Sequence, residues 1–420
     1  MTEPKSSPIG SEFSDLLKRA DRLVEAVPRQ PDLSRTVFDV AEVVTRELGA
    51  RLGVGGGRVY RRAEEGESYL LLGTFGAAHP IDNPPLLPGD YAPVAILRQD
   101  GTVYMEADDP ALDRELENAL GAGRFAAIEV GEGEYLLAFD LHAARERENA
   151  LLSLAILRHS INQKIARERM DDVLREARKI QASILPRRLP VYGSFDLAGR
   201  NEPMETVGGD FFDFIPLSPK IMGIAIADVS GHGLPAALQV RDIYMGLRMG
   251  LGRDYKIVRT VERLNRIIHE SILTSRFVSM FYGELELNGN FLYVNAGHPP
   301  PFHLGAGGDV TFLESGGVVL GPLADASYER GFVLVQPGDL LVLYTDGIVE
   351  ARPRGGRDEY GVDRLVEVVR RYRLKPAQEI MDAVFADVKR FSDGGAASDD
   401  RTVVVVRYPI PPAKASSSER

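Results

Sequence analysis

The segment Gly209–Gly233 reads GDFFDFIPLSPKIMGIAIADVSGHG, and the fold of the chain turns on it. An acidic turn, Gly208-Gly209-Asp210-Phe211-Phe212-Asp213, precedes an apolar run from Ile221 to Ala227. The run is short, β-branched in places and nearly unbroken, which predicts a buried strand. It ends in Asp228, and a Gly-His-Gly turn follows. A carboxylate at the end of a buried strand is costly to leave unpaired, and a cation is its usual partner. The setting recurs downstream. Asp346 closes the run Leu340–Thr345, and Asp399-Asp400 precedes Thr402–Val406. Carboxylates at three strand ends of one domain point to a hard-metal site.

The rest of the chain narrows the class. Its 420 residues exceed one ordinary core, so two domains and a connector are expected. A hydrophobic share of 44% and a charged share of 26% are those of a soluble globular protein. A net charge of −11 argues against nucleic-acid binding, which needs a basic face. The absence of cysteine excludes disulfides, thiolate metal sites, thiol nucleophiles and thioether-linked chromophores. The opening MTEPKSSPIGSEF has no apolar signal core, and no run reaches membrane length, so no membrane span and a cytoplasmic location are expected. The tail PIPPAKASSSER after Tyr408 is expected to be disordered.

Residues 1–29 are expected to form an N-terminal extension or helix. Helical spacing runs over 11–49, with a break at Pro28–Pro31. Between 50 and 140 the pattern predicts strands at Gly57–Tyr60, Ser68–Thr74, Val94–Leu97, Gly101–Met105, Ala126–Val130 and Tyr135–Phe139. Helix, antiparallel sheet and helix make an α+β plan. The order and the phrase RVYRR…GESYLLLGTFG resemble a GAF sensor domain over residues 30–145, with a PAS-type domain as the competitor. The Gly53–Gly57 cluster lacks the strand-GxGxxG-helix order of a dinucleotide site and reads as a tight turn.

Residues 146–187 are expected to form a linker helix, uninterrupted by Pro or Gly from Ala143 to Leu185. Ala166, Met170, Val173, Ala177, Ile180 and Ile184 step as a heptad seam, after a stutter through Leu154, Leu157, Ile161 and Ile165. Two readings stand: a packed amphipathic helix, or a parallel coiled coil that makes the protein a homodimer. From 188 to 408 strands, two helices, more strands, two helices and a last strand predict an α/β/β/α sandwich. The helices are expected at Leu234–Leu251, Tyr255–Leu273, Gly361–Tyr372 and Pro376–Ser392. Residues 409–420 complete the chain as the tail.

Five motifs in order, VGGDFFD (207–213), ADVSGHG (227–233), NAGHPPP (295–301), YTDGIVEA (344–351) and SDDRT (398–402), closely resemble the bacterial metal-dependent serine phosphatases of the SpoIIE and RsbU type. These belong to the PPM, or PP2C-like, superfamily. The resemblance implies a protein serine/threonine phosphatase that uses two Mn2+ or Mg2+ ions. It implies that Asp228 bridges the ions, that the Val229 carbonyl assists one, and that Asp346 and Asp399 hold the second. Asp210 would hold a water of the first ion or the ion itself. Asp400 and Asp213 would support these ligands or cap turns. The implied substrate is a phosphoserine or phosphothreonine on a STAS-type anti-sigma factor antagonist, with an unidentified ligand or partner at the sensor domain.

Other residues carry two readings each. His232 orients water or shapes its turn, and His298 lies at the site or simply packs its loop. Thr206 and Glu205 shape the Gly-Gly turn. The eukaryotic branch grips phosphate with an arginine just before the first acidic motif. Here that neighbourhood holds Glu205, and the nearest upstream arginine is Arg200. His79 and His142 form no metal-ligand pattern. The intact set Asp210, Asp228, Asp346 and Asp399 argues against the alternative of a metal-free pseudophosphatase scaffold. DFFD lacks the spacing of an aspartyl-phosphate loop, and no P-loop sequence occurs.

Overall fold

The computed structural model describes residues 8–64, 66–142, 147–186, 188–251, 256–271, 277–395 and 397–411. Most of the expected tail, the 143–146 approach to the linker helix and both ends of the expected Tyr255–Leu273 helix lie outside the described residues. The chain forms two compact units, Met1–Asp172 and Val173–Arg420, which divide inside the expected linker.

The first unit opens with α1 (Pro8–Ala26), α2 (Leu33–Leu52), β1 (Val54–Arg62) and β2 (Tyr69–Gly76). It continues with α3 (Ala92–Asp100), β3 (Thr102–Met105), α4 (Arg114–Ala119), β4 (Phe125–Val130), β5 (Tyr135–Leu141) and the first part of α5 (Arg147–Ile184). Asp32 starts α2 by accepting the Ser34 N–H at 3.0 Å, and Gly53 ends it in the left-handed conformation. The strands form one antiparallel sheet in the order β2-β1-β5-β4-β3. Helices α1, α2 and α5 bury Val24, Val44, Leu157 and Ile161 in one core with Val59 and Leu137 of the sheet. Helices α3 and α4 serve a second core around Val94, Leu97 and Phe125. The expected strand Val94–Leu97 is therefore a correction: it lies within α3. Pro93 sits in the first helical turn, where its missing N–H costs nothing, and Val94 and Leu97 share one buried helical face.

The second unit begins with the end of α5, then β6 (Asp196–Glu202), β7 (Asp210–Ser218), β8 (Ile221–Val229), α6 (Leu234–Leu251) and α7 (Ile257–Glu270). Next come β9 (Val278–Glu286), β10 (Asn290–Ala296), β11 (Phe302–Leu304), β12 (Val310–Phe312), β13 (Gly316–Gly317) and β14 (Gly331–Leu334). It closes with β15 (Leu340–Tyr344), α8 (Asp346–Val349), α9 (Val362–Tyr372), α10 (Ala377–Phe391) and β16 (Arg401–Arg407). One sheet runs β13-β10-β9-β8-β7 with β14 on β10, and the other runs β12-β11-β15-β16-β6.

Strand alternation builds the layers. On β8, Ile224 and Ile226 enter the core between the sheets, together with Leu343 and Val404. Ala225 and Ala227 face α6 and α7, where small side chains let Val240 and Val261 approach. Helices α9 and α10 cover the outer face of the second sheet through Leu365, Val369, Ile380 and Val384. The result is the α/β/β/α order expected. Each fully buried Ile or Leu contributes about 1.5–3 kcal/mol, so a charge at Ile226 would break the central layer. Asp210–Asp213, expected as a turn, instead opens β7. Phe211 packs toward α6 while Phe212 and Phe214 enter the inter-sheet core, the period of a strand.

Candidate active site

The two sheets present their acidic ends together. Asp210 at the start of β7 pairs in register with Asp228 near the end of β8, and Asp228 pairs with Ser279 on β9. In the other sheet β15 and β16 are neighbours, with Tyr344 opposite Val403. Asp346 follows β15 directly and opens α8, while Asp399 and Asp400 precede β16. Each carboxylate is thus placed by a strand that is buried for independent reasons.

These carboxylates act on one another electrostatically. Asp228 is pushed up to about 7 by burial, then by the charges of Asp346, Asp399 and Asp400. Asp346 is raised to about 6 by burial, then by Asp399 and Glu350. Asp210 is held well above the ordinary carboxylate range by burial and then by Asp228. Among the described residues, no lysine or arginine offsets the charge of these three groups. A bound cation would relieve both the desolvation and the repulsion. Hard carboxylate oxygens, with the buried Val229 carbonyl beside them, suit Mg2+ or Mn2+. Among the described residues, no three His, Cys, Asp or Glu side chains already enclose a single point. The fit therefore rests on charge and donor chemistry.

The supporting contacts are specific. Thr402 Oγ1 donates to Asp210 Oδ2 at 2.6 Å and Thr345 Oγ1 donates to the same oxygen at 2.8 Å. The Thr402 N–H in turn donates to Thr345 Oγ1 at 2.9 Å. Asp210 Oδ1 is buried with no partner among the described residues, which leaves it an acceptor in need of a donor or cation. Asp400 does not join the open cluster by both oxygens. Its Oδ1 accepts the Met204 N–H at 2.7 Å and its Oδ2 accepts the Gly209 N–H at 2.6 Å. It fixes the Gly208-Gly209 turn. A Cβ at Gly208 would meet Asp400 Oδ2 at 2.3 Å, so this close approach requires glycine. Asp213 points away, paired with Arg248 of α6 at 2.7 Å.

The histidines separate clearly. His232 is exposed and its Nδ1 lies 2.9 Å from Glu205 Oε1. His298 is buried, with Nδ1 2.9 Å from Ser279 Oγ, and burial pushes its imidazole down to about 3. It is a neutral packing residue. Sequence reasoning missed Thr345 and Thr402, although both lie within the acidic motifs YTDGIVEA and SDDRT. It also missed Gln181 on α5. The Gln181 side chain donates to Gly208 O at 2.6 Å and accepts the Gly208 N–H at 3.2 Å. No local pattern could reveal that contact, because it joins a helix to a turn 27 residues away.

The profile of the SpoIIE family, Stage II sporulation protein E, matches residues 218–409. Phosphoserine phosphatase RsbU of Bacillus subtilis is 29% identical over 237 residues, covering 56% of this chain and 69% of that protein. Protein IcfG of Synechocystis sp. is 28% identical over 315 residues, covering 67% of this chain but only 49% of IcfG. The chain thus spans about half the length of IcfG. Among solved structures, the SiaA-PP2C domain of Pseudomonas aeruginosa superposes with a TM-score of 0.53 at 20% identity, covering 58% of this chain and 98% of that one. That likeness supports the fold of the second unit. Through that unit, the chain is similar to the SpoIIE family and to a relative named as a phosphoserine phosphatase, and it shares the fold of a PP2C domain.

Proposed function

We propose that this chain is a metal-dependent protein serine/threonine phosphatase that hydrolyses phosphoserine or phosphothreonine on a protein partner. One observation carries the reading: Asp228, Asp346 and Asp399 arrive from three separate strand ends, and the charge of Asp399 raises the proton affinity of both Asp228 and Asp346. Two Mn2+ or Mg2+ ions bound there would supply Lewis acidity toward the phosphate monoester and activate water. Asp228 would bridge them, the Val229 carbonyl and Asp210 would serve the first, and Asp346 and Asp399 the second. Thr345 and Thr402 hold Asp210 in place, and Asp400 holds the Gly208-Gly209 backbone. Their task is positioning, since the buried carboxylates have little freedom once these bonds form. Water would attack the phosphorus directly, and no covalent phospho-enzyme is needed.

The family resemblance points to a STAS-type anti-sigma factor antagonist as the phosphorylated substrate. The first unit, an antiparallel sheet between helices, would be a GAF-like sensor for a ligand or partner still to be identified. Helix α5 would carry its signal as half of a homodimeric coiled coil. Gln181 supports that route, because it bonds the turn that precedes Asp210.

The test is phosphate release from an aryl phosphate by the full chain, with Mn2+ and with chelator. Turnover that needs both Mn2+ and Asp228 establishes the phosphatase. A chain that binds no Mn2+ by calorimetry and releases no phosphate is instead a binding scaffold.

A further inference from the structure

We propose that the groove beside Asp399 receives the polypeptide flanking the phosphorylated residue, and that Arg354 selects an acidic side chain there. The inference rests on the phosphatase reading above. The groove encloses about 760 Å3 between the segment after α8 and the segment before β16. Glu350, Arg352, Arg354, Asp399 and Arg401 contribute to its wall. Asp399 therefore belongs both to the groove and to the carboxylate cluster. A phosphate group alone fills a small part of such a volume; sites of roughly 300–1,000 Å3 take ligands the size of a short peptide stretch.

Its charge runs against that of the whole protein. The chain carries a net −11, yet three arginines here face two carboxylates, Glu350 and Asp399. With Asp399 engaged by a cation, the groove is more basic still. The arginines differ in availability. Arg352 Nη2 donates to Glu359 at 2.6 Å. Arg401 is buried, and its Nε and Nη2 donate to Gly347 O at 3.3 Å and Ser392 Oγ at 3.4 Å. Arg354 is exposed and joins no ion pair among the described residues. A guanidinium left free on the rim matches a carboxylate by its paired N–H donors.

The experiment uses the full chain with Mn2+ and three substrates: an aryl phosphate and two phosphoserine peptides that differ only in carrying Asp or Lys beside the phosphoserine. The wild type is expected to favour the Asp peptide by about fivefold in kcat/KM, the scale of one solvent-exposed charge contact. Arg354→Glu should reverse that order, and Arg354→Lys should keep part of it. Arg354 is on the surface, and an unchanged thermal midpoint would show that the variants fold. Aryl phosphate hydrolysis with no peptide preference in the wild type, or with the same preference in Arg354→Glu, overturns the groove assignment and leaves the phosphatase reading standing. Absence of Mn2+-dependent turnover on all three substrates removes that reading and the groove with it.

Discussion

On the proposed reading, Asp228 is the residue on which the chemistry and the stability of the second unit meet. Its carboxyl is raised to about 7 by burial and by neighbouring acids. In metal-free protein the cost of ionising it is absent below about pH 4 and grows as pH rises toward 7, so folding stability falls over that window. Asp228→Asn removes the cost and, on the proposed reading, the metal bridge as well. Turnover should drop more than about a hundredfold, the scale of losing one preorganised charge-stabilising group. The metal-free thermal midpoint at pH 8 should rise, and the further rise on adding Mn2+ should shrink. A variant with full activity and an undiminished Mn2+ shift would remove Asp228 from the bridging role. His298 gives the opposite sign. Its folded pKa is about 3, against an ordinary value near 6.5 in the unfolded chain. Only the unfolded state takes up this proton between those values. Stability is lost as pH falls from about 6.5, by at most about 1.4 kcal/mol per pH unit. Urea midpoints at pH 7 and pH 5 should therefore differ less in His298→Gln than in the wild type. An equal difference would locate the acid sensitivity elsewhere.

At the scale of elements, the end of α5 is part of the second unit. Ile184 and Leu185 pack against its cores, and Gln181 bonds both polar groups of Gly208. Gln181→Ala would leave a buried N–H and a buried C=O unpaired, at about 1–3 kcal/mol for each. The turn they belong to also presents the Gly209 N–H to Asp400. The variant should lose thermal stability and need about tenfold more Mn2+ for half-maximal turnover, the effect typical of weakened support behind metal ligands. An unchanged Mn2+ titration would make Gln181 a purely structural contact. This helix also marks where sequence reading stops. Strand β8 was legible because an unbroken apolar run has few other homes, and the acidic residues were legible because they stand at the ends of such runs. Val94–Leu97 misled because a β-branched, apolar tetrad suits a strand equally well; only Pro93 and the face it shares in α3 decide for a helix. The Phe211–Phe214 alternation was masked by flanking glycine and aspartate, which suggest a turn. The hydroxyls of Thr345 and Thr402 converge on Asp210 from different strands, and such pairings exist only once the sheets are formed.

For the whole molecule, the seam on α5 sets an expectation about assembly. Leu154, Leu157, Ile161 and Ile165 are buried in the core of the first unit, so that part of the periodicity is accounted for within one chain. The continuation is not. Met170, Val173 and Ile180 are 57%, 51% and 55% exposed, at heptad spacing on one helix. Apolar residues repeated in this way along a helix are what a second identical helix covers in a two-stranded coiled coil. The full chain should therefore scatter light at twice the mass of one chain. Met170→Glu combined with Val173→Glu should give monomers, because like charges would face each other across the seam. Those positions are exposed in the single chain, so the double variant should keep the secondary structure seen by circular dichroism. If signalling runs through the pairing, the variant should retain Mn2+-dependent hydrolysis of an aryl phosphate but lose any response to occupancy of the first unit. A wild-type chain that stays monomeric across the accessible concentration range would leave the exposed stretch of α5 with no partner helix, and regulation would then have to act within one chain.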